Sequence, residues 1–388
     1  MLRESNQRVR LGAGNSHSVF IDNEGRLLTC GKAKPWQPAL LGHPRPAPYE
    51  SVIQIMIPTR VPSLLGGERA VSLAVGAKHS IAITTSGALW SWGDGKLGTI
   101  GHDEYTDSME PTKIAGFAGR RVVAASAGDA HNLAITADAS AWSWGRGYSG
   151  RLGHGGGEDQ LRPKRIEALV AQRIIAVAAG GDHCLAVTAD GKVYSWGRGE
   201  CGQLGHGKRS SERIPDTEPL PRRIMSLRKQ RVIAVAAGGL HSLAVTADGL
   251  VWSWGAAGEG KLGHGTEDNQ MRPKKIKELT GQRIVAVAAG HYHSFALSAD
   301  GILWGWGRGY GGQLGHGDLV IPRNGLKLPR RVEAFAGRRV VAVTAAGNHS
   351  LAQTSDGAFW GWGEGDNFAV GQGEDTSNID APRQIEIV

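Results

Sequence analysis

Short apolar runs return along the chain in a fixed order. One copy reads Ile174 to Gly180 as IIAVAAG, then Gly181, Asp182 and His183, then CLAVT, an Ala-Asp-Gly, and VYSWG ending at Gly197. Runs of about five residues rich in Val, Ile and Ala, bounded by glycine, predict strands. The Ala-Asp-Gly between the second and third run is a hairpin turn signal. In the third run two aromatic residues stand two apart, so both leave the same face of the strand. The pairs are Trp90/Trp92, Trp142/Trp144, Tyr194/Trp196, Trp252/Trp254, Trp304/Trp306 and Trp360/Trp362. A fourth run, RPKKI or PRRI, completes the unit. Both faces of these strands carry apolar or small residues, as a sheet sandwiched between two neighbours requires. No stretch has the period of an amphipathic helix.

The unit repeats seven times. A Gly-x-x-His tetrad anchors the count at His17, His79, His131, His183, His241, His293 and His349, with Ala346 replacing the glycine in the last. The intervals are 62, 52, 52, 58, 52 and 56 residues. Four strands per copy, with small inner strands and bulky tryptophan further out, define an all-β fold: a seven-bladed β-propeller of four-stranded antiparallel blades. Residues 1–388 read as one such domain. The segment Pro382-Arg383-Gln384-Ile385 matches a fourth strand, so a blade completed by both chain ends is expected to close the ring.

Composition sharpens this picture. Glycine accounts for 58 of 388 residues, roughly twice the usual share. Tryptophan (12) outnumbers Phe (6) and Tyr (6), so the aromatic residues follow the repeat rather than an ordinary core. No apolar run is long enough for a membrane span, and the first residues lack an apolar leader pattern. Three cysteines, Cys30, Cys184 and Cys201, form neither a disulfide framework nor a zinc motif. An intracellular location, nucleus or cytoplasm, is expected.

Several features imitate chemistry. Besides the tetrad histidines, His43, His102, His154, His206, His264 and His316 recur at a Leu/Ile-Gly-His position. Ligands of one metal ion would break the repeat; these obey it, and they read as imidazoles fastening loops through backbone hydrogen bonds. Gly255 to Lys261 imitates a phosphate-binding loop, but Leu262 stands where Ser or Thr would hold magnesium. No cofactor, metal or covalent catalysis is expected. Arg69, Arg121, Arg173, Arg231, Arg283 and Arg339 recur opposite the tetrad loops, either bracing turn aspartates such as Asp190, Asp248, Asp300 and Asp356 or forming a positive ring.

Two irregular regions remain. Arg209, Arg213, Arg222, Arg223, Arg228 and Lys229 cluster between the fourth and fifth copies. With the net charge of +8 they could meet nucleic acid or an acidic protein surface, or form a solvated basic edge. Residues 32–62, with seven of the 16 prolines, read as a long, stiff surface loop.

The motif VAAGGxHSLAVTADGxVWSWGxGxxGQLGHG resembles the repeat of the regulator of chromosome condensation family over nearly the whole chain. That resemblance implies the propeller independently. It implies no single function, because the fold serves exchange factors, ligase-associated modules and a plant ultraviolet-B photoreceptor. In the exchange factor, acidic residues in the tetrad loops of two successive blades and a histidine two blades later act on the Ran GTPase. Here Asp129, Asp182 and His291 stand in that order. No wedge is inserted between Gly145 and Gly153, unlike the exchange factor. The photoreceptor's loops carry Gly-Trp-Arg-His-Thr, whereas no tetrad here contains tryptophan. The expected function is therefore a non-catalytic interaction propeller with exchange activity on a Ran-type small GTPase. A scaffold or a chromatin- or ligase-associated module is the alternative.

Overall fold

A computed structural model describes residues 10–33, 38–44, 53–62, 65–207, 217–317 and 321–387. Seven separate four-stranded sheets follow one another along the chain, each with its strands in sequence order and antiparallel. We number them blades 1 to 7. They span Leu11–Arg60, Ala70–Lys113, Val122–Arg165, Ile174–Arg223, Val232–Lys275, Ile284–Arg331 and Val340–Ile385. This is the seven-bladed propeller.

Burial follows from the residue pattern. The second strand of every blade is buried along its whole length, for instance His241–Thr246. Cores form between blades rather than within them: Leu185 and Val187 of blade 4 pack with Ala244 and Trp254 of blade 5. The second aromatic residue of the third strand in blades 2 to 7, from Trp92 to Trp362, is fully buried in such a seam. The glycine that ends this strand sits where the chain turns against the tetrad loop. At Gly255 φ is +105°, and a Cβ would lie 2.6 Å from the Leu240 carbonyl oxygen. That close approach explains the recurring Ser-Trp-Gly.

The tetrad imidazoles, expected to fasten their own loops through backbone hydrogen bonds, instead join neighbouring blades, and Nδ1 of His17, His79, His131, His183, His241 and His293 is buried without a partner. Each Nε2 reaches the side chain that follows the tetrad histidine of the next blade. His17 meets Ser80 at 2.9 Å, His79 meets Asn132 at 2.6 Å, and His131 meets Cys184 at 3.0 Å. His183 meets Ser242 at 2.8 Å, His241 meets Ser294 at 2.8 Å, and His293 meets Ser350 at 2.9 Å. His349 returns to Ser18 at 2.9 Å. The Asn132 partner atom is Oδ1, which only accepts, so Nε2 carries the proton there. Ser18, Ser242, Ser294 and Ser350 give their single proton to backbone carbonyls, as Ser242 does to Gln203. Nε2 is therefore the donor at those sites too. Seven hydrogen bonds link the blades in an unbroken circle.

The second histidine set clasps the loop after the third strand. Ser253 donates to the Leu262 carbonyl at 2.6 Å and meets His264 Nε2 at 2.9 Å. Ser91 with His102, Ser143 with His154 and Ser195 with His206 repeat the arrangement. Blade 6 has Gly305 in place of the serine, and His316 Nε2 is buried without a partner.

Three further expectations are corrected. Among the described residues no blade mixes the two chain ends. Blade 1 is built within residues 11–60 and blade 7 within residues 340–385. The ring closes through side chains instead: Leu11, Phe20 and Cys30 of blade 1 share a core with Leu351, Phe359 and Ile385 of blade 7. Ile53–Arg60, within the proline-rich segment, is the fourth strand of blade 1 rather than loop, because Ile53 and Ile55 pair with the third strand. Trp36 and Tyr49 lie outside the described residues. Finally, Arg69 and Arg339 brace the preceding blade's turn through carbonyl oxygens, of Asn23 at 2.9 Å and Ala299 at 2.7 Å, not through carboxylates. The turn aspartates accept from their own hairpins, as Asp248 does from Thr246 at 2.5 Å.

Candidate functional site

The loops joining first to second strands meet around one mouth of the propeller axis. They line a narrow well of about 80 Å³ that includes Gly14, Gly76, Asp129, Gly180 and His291. Asp129 belongs to blade 3 and His291 to blade 6, nearly opposite on the ring. They meet: His291 Nε2 lies 3.0 Å from Asp129 Oδ1. The hydrogen bond that His291 donates to this carboxylate holds the imidazole above its ordinary pKa, against the effect of burial. The tetrad histidines go the other way. Burial alone accounts for His349 falling to about 4, and leads for His17 and His293 falling to about 3. His291 is thus the one tetrad-loop imidazole suited to carrying charge.

Asp182 is placed differently. It stands on the same rim but accepts from Arg151 Nη1 at 2.7 Å and Arg198 Nη1 at 3.4 Å. Arg151 is itself only 2% exposed. It issues from the preceding blade, where its backbone carbonyl also accepts from Trp196 Nε1 at 2.9 Å. Arg198 continues to Glu200 at 2.6 Å. Beside Asp129 opens a cavity of about 420 Å³ lined by Lys78, Asp94, Lys96, Thr99 and Ala130. The rim thus offers carboxylates and one imidazole, each held by a named partner.

The described members of the basic cluster are not part of this site. Arg222 and Arg223 lie on the outer strand of blade 4, and Arg222 pairs with Glu218 at 2.7 Å. Arg228 and Lys229 follow a single 3-10 turn and lie exposed just before the first strand of blade 5, at the end of the ring away from the tetrad loops. Arg209 and Arg213 lie outside the described residues. Gly255 to Lys261 ends a third strand and turns through Gly258–Gly260, as its scaffold reading expects. Among the described residues no group of three or more His, Cys, Asp or Glu could hold a metal ion. No helix among them is long and apolar enough to cross a membrane.

Sequence reasoning missed Arg151, Lys261 and Arg308. The first two occupy the variable position before Leu-Gly-His, held elsewhere by Gln203 and Gln313. A charged residue breaking that register was the available signal.

A ring of seven sandwiched four-stranded blades, with Asp129, Asp182 and His291 gathered on one rim, defines the class: a seven-bladed β-propeller. Family models make the class specific: an RCC1-like domain matches residues 117–388, and regulator of chromosome condensation (RCC1) repeats match residues 86–135 and 70–99. The chain belongs to the regulator of chromosome condensation family. It is 34% identical to the ultraviolet-B receptor UVR8 of Arabidopsis thaliana, over 97% of this chain and 81% of that protein. It is 38% identical to the human E3 ubiquitin-protein ligase HERC2 over 78% of this chain, which is only 6% of that much longer protein. Among solved structures, Prp20p of Saccharomyces cerevisiae, described with its binding to Gsp1p and histones, superposes with a TM-score of 0.81. That match has 26% identity and covers 95% of this chain and 88% of Prp20p.

Proposed function

We propose that the tetrad-loop rim binds a Ran-type small GTPase and promotes exchange of its guanine nucleotide, without covalent chemistry. The observation that carries this reading is the convergence of Asp129 and His291 across the axis, with Asp182 beside them on the same rim. A GTPase holds its nucleotide through phosphate and magnesium contacts. An exchange factor acts by preferring the nucleotide-free state, since differential affinity is the only source of such a shift. Carboxylates on the rim would accept basic groups released around the emptied site, and His291 would donate or pack. Prp20p, with its recorded binding to Gsp1p, supports the direction of the inference.

The test is timed release of labelled GDP from Ran. Wild-type protein accelerates release, and Asp129→Ala slows it by roughly tenfold, about 1.4 kcal/mol. Absence of acceleration by wild type removes the exchange reading. The scaffold reading would then stand, supported by the 38% identity to a segment of a ubiquitin ligase. In that case the rim would hold a partner, chromatin included, without turnover.

A further inference from the structure

On the same rim, between blades 5 and 6, the slot that holds Arg151 and Asp182 elsewhere is left without its acid. Lys261 occupies the arginine's position and is 5% exposed. The residue in Asp182's position one blade on is Tyr292. Lys261 Nζ lies 5.7 Å from the Tyr292 ring centroid, and among the described residues no carboxylate forms an ion pair with it. Arg308 lies alongside, its guanidinium 5.0 Å from the Tyr292 ring and 4.1 Å from the Tyr310 ring. Its nearest carboxylate is Glu259, at 4.0 Å. Arg308 Nε and Glu259 Oε2 are both buried without a hydrogen-bond partner. Two cations therefore share one loosely placed carboxylate. Around them Leu240, Tyr292 and Tyr310 are exposed large apolar side chains on the rim.

We propose that this sector is a receptor for an acidic side chain of a protein partner. A lysine that is 5% exposed and has no carboxylate within ion-pair distance among the described residues is costly to the free protein, and an incoming carboxylate reduces that cost. The tyrosine faces suit the methylene stem of a glutamate, with Lys261 at the base and Arg308 at the open edge. A free phosphate would engage the cations but leave the tyrosine faces uncovered, so an acidic polypeptide segment is the better fit. The proposal does not depend on the GTPase reading and is tested without nucleotide.

The probe is a fluorescein-labelled oligoglutamate peptide followed by anisotropy, with an oligolysine peptide as counterpart. The repeat supplies the variants. Lys261→Gln installs the residue that blades 4 and 6 carry at that slot, and Arg308→Ala installs the Ala256 of blade 5. Both are expected to fold, with Lys261→Gln melting no lower than wild type. Each should weaken oligoglutamate binding by roughly tenfold or more. Arg228→Ala, which removes the same charge from the far end of the ring, should leave binding unchanged. Equal weakening by Arg228→Ala would reduce the effect to net charge and overturn the site. So would absence of oligoglutamate binding, equal binding of oligolysine, or full displacement by millimolar inorganic phosphate, which would mark a small-anion site.

Discussion

Asp182 has two duties on the rim, and they can be separated. As a rim carboxylate it is open to a partner; as the counter-ion of Arg151 it neutralises a guanidinium that is almost wholly inside the protein. Asp182→Ala strands that cation and should destabilise the fold by about 2–4 kcal/mol, read as a lower midpoint in urea. Adding Arg151→Gln, the side chain of blades 4 and 6 at that slot, should recover most of the loss. A single mutant as stable as wild type would mean that the pair contributes nothing. Histidine gives a second prediction. The tetrad imidazoles are neutral in the fold, with pKa values held down by burial, to about 3 at His17 and His293 and about 4 at His183 and His349. Unfolding at a pH below about 6.5 therefore takes up protons. The stability present above that pH is lost as pH falls toward 4 and 3. Each proton taken up steepens the loss by about 1.4 kcal/mol per pH unit. His291 has the opposite sign. Its pKa is raised by Asp129, so its contribution is complete below about pH 6.5 and disappears as pH rises through the raised value. Asp129→Asn should lower the melting temperature at about pH 6 and leave it nearly unchanged at about pH 9.

Within a blade, the clasp after the third strand explains a pair of coupled departures from the repeat. Gly305 lacks the hydroxyl that its counterparts Ser143, Ser195 and Ser253 give to the clasp. A Cβ at Gly305 would lie 2.8 Å from Phe295 Cε1. At Phe295's position blades 3 to 5 carry Leu133, Leu185 and Leu243, so the larger ring fills the volume of the missing side chain. Gly305→Ser alone should cost about 1–3 kcal/mol by overpacking. In Phe295→Leu the same serine should fit and give His316 Nε2 its partner, so the double mutant is less destabilised than the two single losses together. Additive losses in thermal melts would refute the coupling. Blade number and the strands and turns of the regular copies were legible from residue spacing, because each copy restates them; the fourth strand of blade 1, Ile53–Arg60, was hidden in a proline-rich stretch that departs from the repeat. The histidine circle was half legible. Ser, Asn or Cys follows every tetrad histidine, yet six of the contacts join copies 52 to 62 residues apart and the seventh joins the last copy to the first, and a linear pattern does not say which neighbour each faces. The meeting of Asp129 with His291 depends on the width of the closed ring, which no local spacing encodes. Lys261 was visible as an odd residue, but its missing acid appears only once blade 6 is placed beside blade 5.

At the scale of the whole molecule, closure rests on packing and on the bond from His349 to Ser18. Ser18 also donates to the Ala369 carbonyl of blade 7 at 2.6 Å. A straight stack of seven units has six junctions and two ends that fray; repeat stability is then a sum of units and junctions, and the ends melt first. The circle has a seventh junction and no terminal member. Opening any blade breaks two junctions at once, and every blade is equivalent in this respect. Unfolding should therefore be a single transition, coincident by tryptophan fluorescence and by far-ultraviolet circular dichroism. Stepwise loss beginning at blade 1 or blade 7 would show that the seam between them is weaker than the others. Ser18→Ala leaves His349 Nε2 unpaired in that seam and should convert the single transition into a graded one, with hydrogen exchange rising first in blades 7 and 1. The folded ring then treats its covalent ends as one more loop. A circular permutant cut between blades 4 and 5 and joined through its old ends should melt as the parent does, since the object that is stable is a cycle and a cycle has no preferred starting point.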